Sequence, residues 1–382
     1  MYKHFKNRTA SVRRSGRNAA GGFRIWTALA VALCVGVFIG STARKGSLPE
    51  PSPALSLTPD CTGSPGGETS SLFVPSATDV PSSTFVPSAT ISPGSANVIR
   101  LDSSVITVCV DGVPETMELE DYLVGVVAAE MSVKSEPDAL RAQAVAARTF
   151  TALHIIGSAK CSSGCTVCSD HRCCQAYKGT DVLKSAWGSK YETYIAKILD
   201  AVRSTEGLVV TYEGKLISAL YHASSGPATE NSEEVFAVAL PYLVSVESFE
   251  GEAEMVSIQE FPVEDVVKKI NARYPEAEMT APLSPTDFDI WGRSESGRVQ
   301  LVRIGNSVIS GSDLRKVLGL KSASFTVSFN EEKVTFTCLG YGHGVGMSQV
   351  GANEMAKDGA DFRTILAHFY TGTDISRLAF SS

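Results

Sequence analysis

Two parts of this chain combine residue types that suit chemistry on a polar, uncharged polymer such as a sugar chain. The first is Gly340-Tyr-Gly-His-Gly-Val-Gly-Met-Ser-Gln-Val-Gly351, with glycine at 340, 342, 344, 346 and 351. Five glycines exceed what a tight turn needs. A backbone without Cβ on one side can take φ > 0 and come close to a ligand. His343, Ser348 and Gln349 are the polar groups on that bare loop. The second is Glu130, on the same apolar stripe as Leu119, Leu123, Val126 and Val127. Burial and the negative end of a helix dipole both disfavour an ionised carboxyl, so both raise its pKa. An acid kept protonated near neutral pH can protonate a leaving glycosidic oxygen. The competing interpretation is a helix-end glutamate that points to solvent.

Arg148, on the next helix, is placed to neutralise charge that develops on Glu130 or to grip a sugar hydroxyl; an ordinary ion-pair arginine is the alternative. Tyr221-His-Ala-Ser-Ser-Gly-Pro-Ala-Thr-Glu-Asn231 gathers Tyr221, His222, Ser224, Ser225, Glu230 and Asn231. A Ser–His hydrolase would need a Gly-x-Ser-x-Gly elbow, which this segment lacks. A loop of hydrogen-bonding groups that orient a sugar is more economical. Cys161, Cys165, Cys168, His171, Cys173 and Cys174 fall within fourteen residues. Their spacing is compatible with disulfides and with tetrahedral zinc. Cys109 and Cys338 are isolated in predicted strands and are expected to be core thiols.

These residues need elements to hold them. Val98 to Val110 alternates and is β-branched, which predicts one or two strands ending at Asp111-Gly112. Leu119 to Met131 has helical spacing. Ser132 to Pro137 breaks that helix; Ser135 is the expected cap of a second, alanine-rich helix over Asp138–His154. Strands are predicted at 208–212, 215–222, 299–304, 325–329 and 334–338, with helices at 313–318 and 351–359. The expected fold is α+β: a helical hairpin packed on a mostly antiparallel sheet, with an inserted α/β subdomain.

The front of the chain differs in kind. Residues 1–24 form a basic tail with seven Lys and Arg and no acid, and 25–43 are uncharged and mostly apolar. Nineteen such residues can just cross a hydrocarbon core, and the positive-inside rule puts the N-terminus in the cytoplasm. A cleaved signal peptide is the rival, and an uncleaved anchor is favoured for the long basic lead. Residues 44–97, rich in Ser, Pro and Thr with Val-Pro-Ser recurring at Val74, Val80 and Val86, are expected to be a stalk. The whole chain has a formal charge of −7; beyond residue 45 it has 25 basic and 41 acidic residues, a net of −16. Such a head, residues 98–382, has no electrostatic footprint for nucleic acid.

Leu119-Glu-Asp-Tyr-Leu-Val-Gly-Val-Val-Ala-Ala-Glu-Met131, Ala139-Leu-Arg-Ala-Gln-Ala-Val-Ala-Ala-Arg-Thr149, Cys174-Gln-Ala-Tyr177, Tyr221-His-Ala-Ser-Ser-Gly226 and Gly342-His-Gly-Val-Gly-Met-Ser-Gln349 resemble the signatures of the stage II sporulation protein D family. The resemblance runs from Val98 to the C-terminus in the family's order. It implies a membrane-anchored lytic transglycosylase that cuts peptide-free glycan strands of peptidoglycan between N-acetylmuramic acid and N-acetylglucosamine. The setting it implies is forespore engulfment, on the mother-cell engulfing membrane, beside a cell-wall amidase (stage II sporulation protein P) and a membrane scaffold (stage II sporulation protein M). By motif position Glu130 is the catalytic acid and Arg148 a functional arginine, with Tyr177 among the substrate-binding residues. Some members bind zinc through two cysteines and a histidine. Cys168 and Cys174 match that cysteine pair, but the histidine position is Ser162 here. Cys161, Cys165 and His171 are the candidates for the third ligand, and His171 is taken. Pro227-Ala228 and Val350 are further departures. The reaction implied uses the muramyl C6 hydroxyl as its own nucleophile, so one carboxylate suffices where ordinary glycosidases need two. The alternatives are a glycan-binding enhancer of an amidase, and a hydrolase with Glu230 as second carboxylate.

Overall fold

The computed structural model describes residues 98–251 and 255–381. The expected basic tail, membrane span and stalk lie outside these residues. Among the described residues no helix is long and apolar enough to cross a membrane.

Strands β1 (Val98–Leu101) and β2 (Val105–Val110) form where alternation predicted them. Asp111 and Gly112 both have positive φ, so the chain reverses there into β3 (Val113–Glu118). Strand β3 lies beyond the predicted strands: its residues are mostly exposed and so carry no apolar signal. Helix α1 (Leu119–Glu130) follows at once, with Tyr122, Leu123, Val126 and Val127 fully buried. Burying each side chain of this size stabilises the fold by roughly 1.5–3 kcal/mol. Helix α2 (Pro137–Ile155) starts with Pro137 in its first turn, but its N-cap is Glu136, not Ser135. It is buried on nearly every side, with six alanines that let neighbours approach closely.

After α2 come β4 (Val167–Cys168), α3 (Thr180–Trp187), α4 (Tyr191–Arg203), β5 (Leu208–Tyr212), β6 (Lys215–Leu216), β7 (Tyr221–His222) and α5 (Ser232–Phe236). The predicted strand over 215–222 is thus two short pieces. An insertion then runs through β8 (Val256–Pro262), α6 (Val263–Arg273), β9 (Phe288–Arg293), β10 (Val299–Ile304), β11 (Ser307–Ser310), α7 (Gly311–Leu318), β12 (Phe325–Phe329) and β13 (Lys333–Leu339). The chain returns through β14 (Met347–Ser348), α8 (Gln349–Lys357), α9 (Phe362–Phe369) and β15 (Asp374–Phe380).

The main core surrounds α2, against which α1, α4, α8, α9 and β5 all pack. Its largest sheet has the order β1-β15-β5-β6 and is mixed, β1 and β15 being parallel. The class is therefore α+β as expected, with a buried central helix in place of a simple hairpin on a sheet. The insertion has its own core. Its sheets, β11-β10-β9 and β12-β13-β8, are antiparallel throughout. It is α+β, not α/β, because every strand pair in it is antiparallel, whereas βαβ crossovers would give parallel neighbours.

Candidate active site

Glu130 ends α1, half-buried, and its carboxylate is met from two directions. The Ala176 amide donates to Oε1 at 2.6 Å, and Gln349 Nε2 approaches Oε2 at 3.5 Å. Burial is the largest influence on this carboxyl and raises its pKa above 4.5; the Ala176 and Gln349 hydrogen bonds work against that shift. Gln349 Nε2 also lies 3.3 Å from Gln143 Oε1 on α2. Tyr221 faces the same carboxyl and donates to Gln175 Oε1 at 2.8 Å. Gln143 Nε2 is buried and reaches no acceptor within hydrogen-bond geometry, although it faces the Tyr221 hydroxyl. A spare donor beside an acid whose pKa is raised suits a substrate hydroxyl. Glu130 opens onto a cleft of about 440 Å³ lined also by Ser132, Lys134, Ala223, Gln349 and Asn353. The other carboxylate on its wall is Glu354, engaged by Lys357 Nζ at 2.6 Å.

Local sequence explains how the acid is met. The segment around Gln175 lies along α1 because Gly125 leaves a notch there: a Cβ at 125 would fall 2.3 Å from Tyr177 Cε2. Tyr177 stacks on Tyr122 across that notch, with ring centroids 5.4 Å apart. It packs the helix and so brings Ala176 to Glu130, and does not itself line the cleft.

The glycine-rich loop does something other than bare itself to a ligand. Gly344 has φ of 86°, and a Cβ there would overlap the Arg298 guanidinium at 2.3 Å. Gly346, with φ of 74°, would bring a Cβ to 2.1 Å from the Leu220 carbonyl oxygen. The protein itself fills the space that the glycines vacate. This lets β14 pair in parallel with β7, which sets Gln349 at the start of α8 opposite Tyr221 and Glu130.

The polar residues of these two segments mostly hold each other. His222 is buried and kept neutral, chiefly by desolvation; its ring contacts Val345 O at 3.1 Å and Ser225 Oγ at 2.6 Å. Ser348 caps α8 through the Gly351 amide and donates to Glu250. Ser224 and Ser248 also donate to Glu250, as does the Ser225 amide at 2.8 Å. Glu250 is thus a clamp between the loops, and it was missed because no motif surrounds it. Asn231 Oδ1 accepts from the Ser245 amide at 2.8 Å. Glu230, 1% exposed, accepts from Ser294, Ser296 and the Asn231 amide. Glu230 and His343 line a different, smaller cavity. Of the expected substrate-binding residues, Tyr221 and Gln349 meet Glu130. His222, Ser224, Ser225 and Ser348 support the loops, and Glu230, Asn231 and His343 lie elsewhere.

Arg148 is also elsewhere. It is fully buried and forms a two-pronged ion pair with Glu120 in the first turn of α1, at 2.8 and 2.6 Å. Its remaining donors reach Leu208 O and Val202 O. Ten residues of helix, about 15 Å, separate Glu120 from Glu130. The expected partnership of Arg148 with Glu130 is therefore corrected to a structural one.

In the cysteine-rich loop, Cys109 is joined to Cys165 and is not a core thiol as expected. Cys338 is free and buried, as expected. Cys161, Cys168, Cys173 and Cys174 bring their sulfurs within 4.8 Å of one another. A tetrahedral zinc with Zn–S of about 2.3 Å needs sulfurs about 3.8 Å apart. Cys161–Cys173 and Cys173–Cys174 are both at 3.9 Å, so four thiolates fit that ion. The expected set of Cys168, Cys174 and His171 is corrected: the His171 side chain is 74% exposed and stands outside the sulfur cluster. No spacing rule could have separated Cys165 from its neighbours, since its partner is 56 residues away.

A family model described as Stage II sporulation protein matches residues 112–212. The chain is 38% identical to Stage II sporulation protein D of Bacillus amyloliquefaciens over 265 residues, which is 69% of this chain and 75% of that protein. Against the protein of the same name from Bacillus subtilis (strain 168) the identity is 37%, with the same shares covered. Amidase enhancer of Bacillus subtilis (strain 168) is 29% identical over 66% of this chain and 40% of its own length.

Proposed function

The chain belongs to the stage II sporulation protein D family, and from that premise we propose that it is a membrane-anchored lytic transglycosylase of peptidoglycan. The carrying observation is Glu130: a carboxyl driven towards its neutral form by burial, yet open to a cleft wide enough for sugar rings. In the proposed reaction Glu130 protonates the glycosidic oxygen between N-acetylmuramic acid and N-acetylglucosamine as the bond to C1 breaks. The carboxylate left behind takes the proton of the muramyl C6 hydroxyl, whose oxygen bonds to C1. Glu130 is restored, no water is consumed, and the product ends in a 1,6-anhydro ring. Among the described residues the other carboxylate on the cleft wall, Glu354, is engaged by Lys357, and Glu230 lies outside the cleft. That favours the ring-closing path over hydrolysis. The proposed context is forespore engulfment on the mother-cell membrane, after the amidase stage II sporulation protein P has stripped the stem peptides and with stage II sporulation protein M as scaffold. Product masses test this. Peptide-free strands treated with the purified head should give anhydro ends. Reducing ends would instead indicate a hydrolase.

The likeness to an amidase enhancer supports a second reading, in which the cleft grips a glycan and stimulates a partner amidase without cutting. Intact strands, with amidase turnover raised by the head, would favour it.

We also propose that Cys161, Cys168, Cys173 and Cys174 hold a structural zinc ion, which when bound ties the loop that leads into Ala176. The purified head should contain about one zinc per chain by elemental analysis. Cys161→Ser should lower that content more than His171→Ala. The reverse order would sink the assignment.

A further inference from the structure

A second cavity, of about 30 Å³, opens where the glycine-rich loop meets the insertion, and its wall includes Glu230, Arg298, Gln300, Ser312, Arg315 and His343. That volume holds a water or two, or one small polar group. Its donors are not all used. Arg315, half-buried on α7, gives Nε to Lys321 O at 3.3 Å, while its terminal nitrogens make no hydrogen bond or ion pair among the described residues. Arg298 is 4% exposed; its terminal nitrogens serve Ser225 O, Ala228 O and Ser296 Oγ, but its Nε is buried without a partner.

The wall also carries two carboxylates: Glu230 accepts from two hydroxyls and an amide, and Glu234, exposed at the rim, accepts from Gln300 at 2.8 Å. Glu230 and Glu250 partly offset Arg298, but among the described residues no carboxylate offsets Arg315. Taking a guanidinium out of water without a counter-charge is costly, and proteins normally pair such groups. The unused donors of Arg315 and Arg298 thus suit an acceptor carrying negative charge, at the size of a carboxylate.

We propose that this cavity binds a carboxylate, gripped by the Arg315 guanidinium and Arg298 Nε. Resting on the transglycosylase reading, that carboxylate is the lactyl group of N-acetylmuramic acid. Removal of a stem peptide by an amidase frees it as an anion; with the peptide attached it is a neutral amide. The pocket would then recognise strands from which peptides have been removed.

Binding can be measured in the Glu130→Gln background, which leaves glycans intact. Calorimetry should give about tenfold tighter binding of a peptide-free muramic-acid-containing tetrasaccharide than of chitotetraose, which has no lactyl group. Arg315→Met should reduce that preference to within about twofold. Ser312→Asp guards against misfolding of that variant. It sets a carboxylate three residues before Arg315 on the first turn of α7, where it should raise the melting temperature and also erase the preference. Equal affinity for the two sugars in the parent, or a preference that survives both variants, overturns the proposal. If sodium D-lactate protects the head thermally while the sugars bind equally, the pocket takes a free acid and the glycan assignment falls. Loss of anhydro products in the wild type would count against the enzymatic reading instead, whatever the binding shows.

Discussion

Glu130→Gln should lower the rate of strand cleavage by about 10³-fold while making the folded head more stable at neutral and alkaline pH. The rate loss follows from removing the proton donor, which is typically worth 10²–10⁴-fold. Glutamine keeps the oxygen that accepts from the Ala176 amide at 2.6 Å, so the geometry around residue 130 survives. The stability effect has a definite sign. Burial raises the native pKa of Glu130 above its ordinary 4.5. The native state therefore binds this proton more tightly than the unfolded chain does. That contribution is complete at low pH and is lost as pH rises through the raised native value. Glutamine cannot ionise and loses nothing. Melting curves of the two proteins should coincide near pH 4 and separate upward, with the variant the more stable. The wild-type rate should fall over the same interval on its alkaline side, as the donor gives up its proton. A variant that lost activity but melted lower at every pH would mean that Glu130 is a structural anchor and not a strained acid.

Much of this site was legible in the sequence, for reasons that also mark where legibility ends. Glu130 stood out because a carboxyl broke an apolar stripe of period 3.6, a signal local to one helix. Gln349 stood out because glycines isolated it. What failed was partnership. Whether Arg148 serves the acid at one end of α1 or the acid at the other depends on how α2 lies against it, and only packing decides that. Glycines 344 and 346 advertised bare backbone, yet a sequence cannot say that Arg298 and Leu220 come to fill the space. Glu250 had no pattern at all, since apart from Ser248 its donors, Ser224, Ser225 and Ser348, are distant in the chain. The helices of the hairpin were found from periodicity, whereas α3, α4, α5, α6 and α9 were not predicted. An inserted subdomain was expected, without bounds and as α/β; its strands instead pair antiparallel, because strand order is set by pairing that the sequence does not state.

Arg148→Ala should destabilise the head by about 3–5 kcal/mol, with activity per folded molecule nearly unchanged. The guanidinium is fully buried and makes four hydrogen bonds, two to Glu120 and two to carbonyls that end α4 and begin β5. Removing it leaves Glu120, whose side chain is 27% exposed, with only the Gly207 amide at 3.3 Å, and leaves Leu208 O and Val202 O without this donor. An uncompensated buried charge is costlier than the pair it came from. Lysine should not rescue, because one ammonium cannot reproduce a planar fork that reaches a carboxylate and two carbonyls together. The informative comparison is a double variant. Arg148→Met with Glu120→Leu removes both charges, and should recover a large part of the loss seen in either single change. Urea unfolding of the four proteins gives the coupling energy, and cleavage rates at low temperature, where even the weakened variants are folded, give the functional side. If Arg148 instead served the reacting carboxyl, the double variant would regain stability but remain inactive. The distances argue for the other result: rates should follow the folded fraction, because Arg148 holds the first turn of α1 in place and thereby fixes where its last residue points.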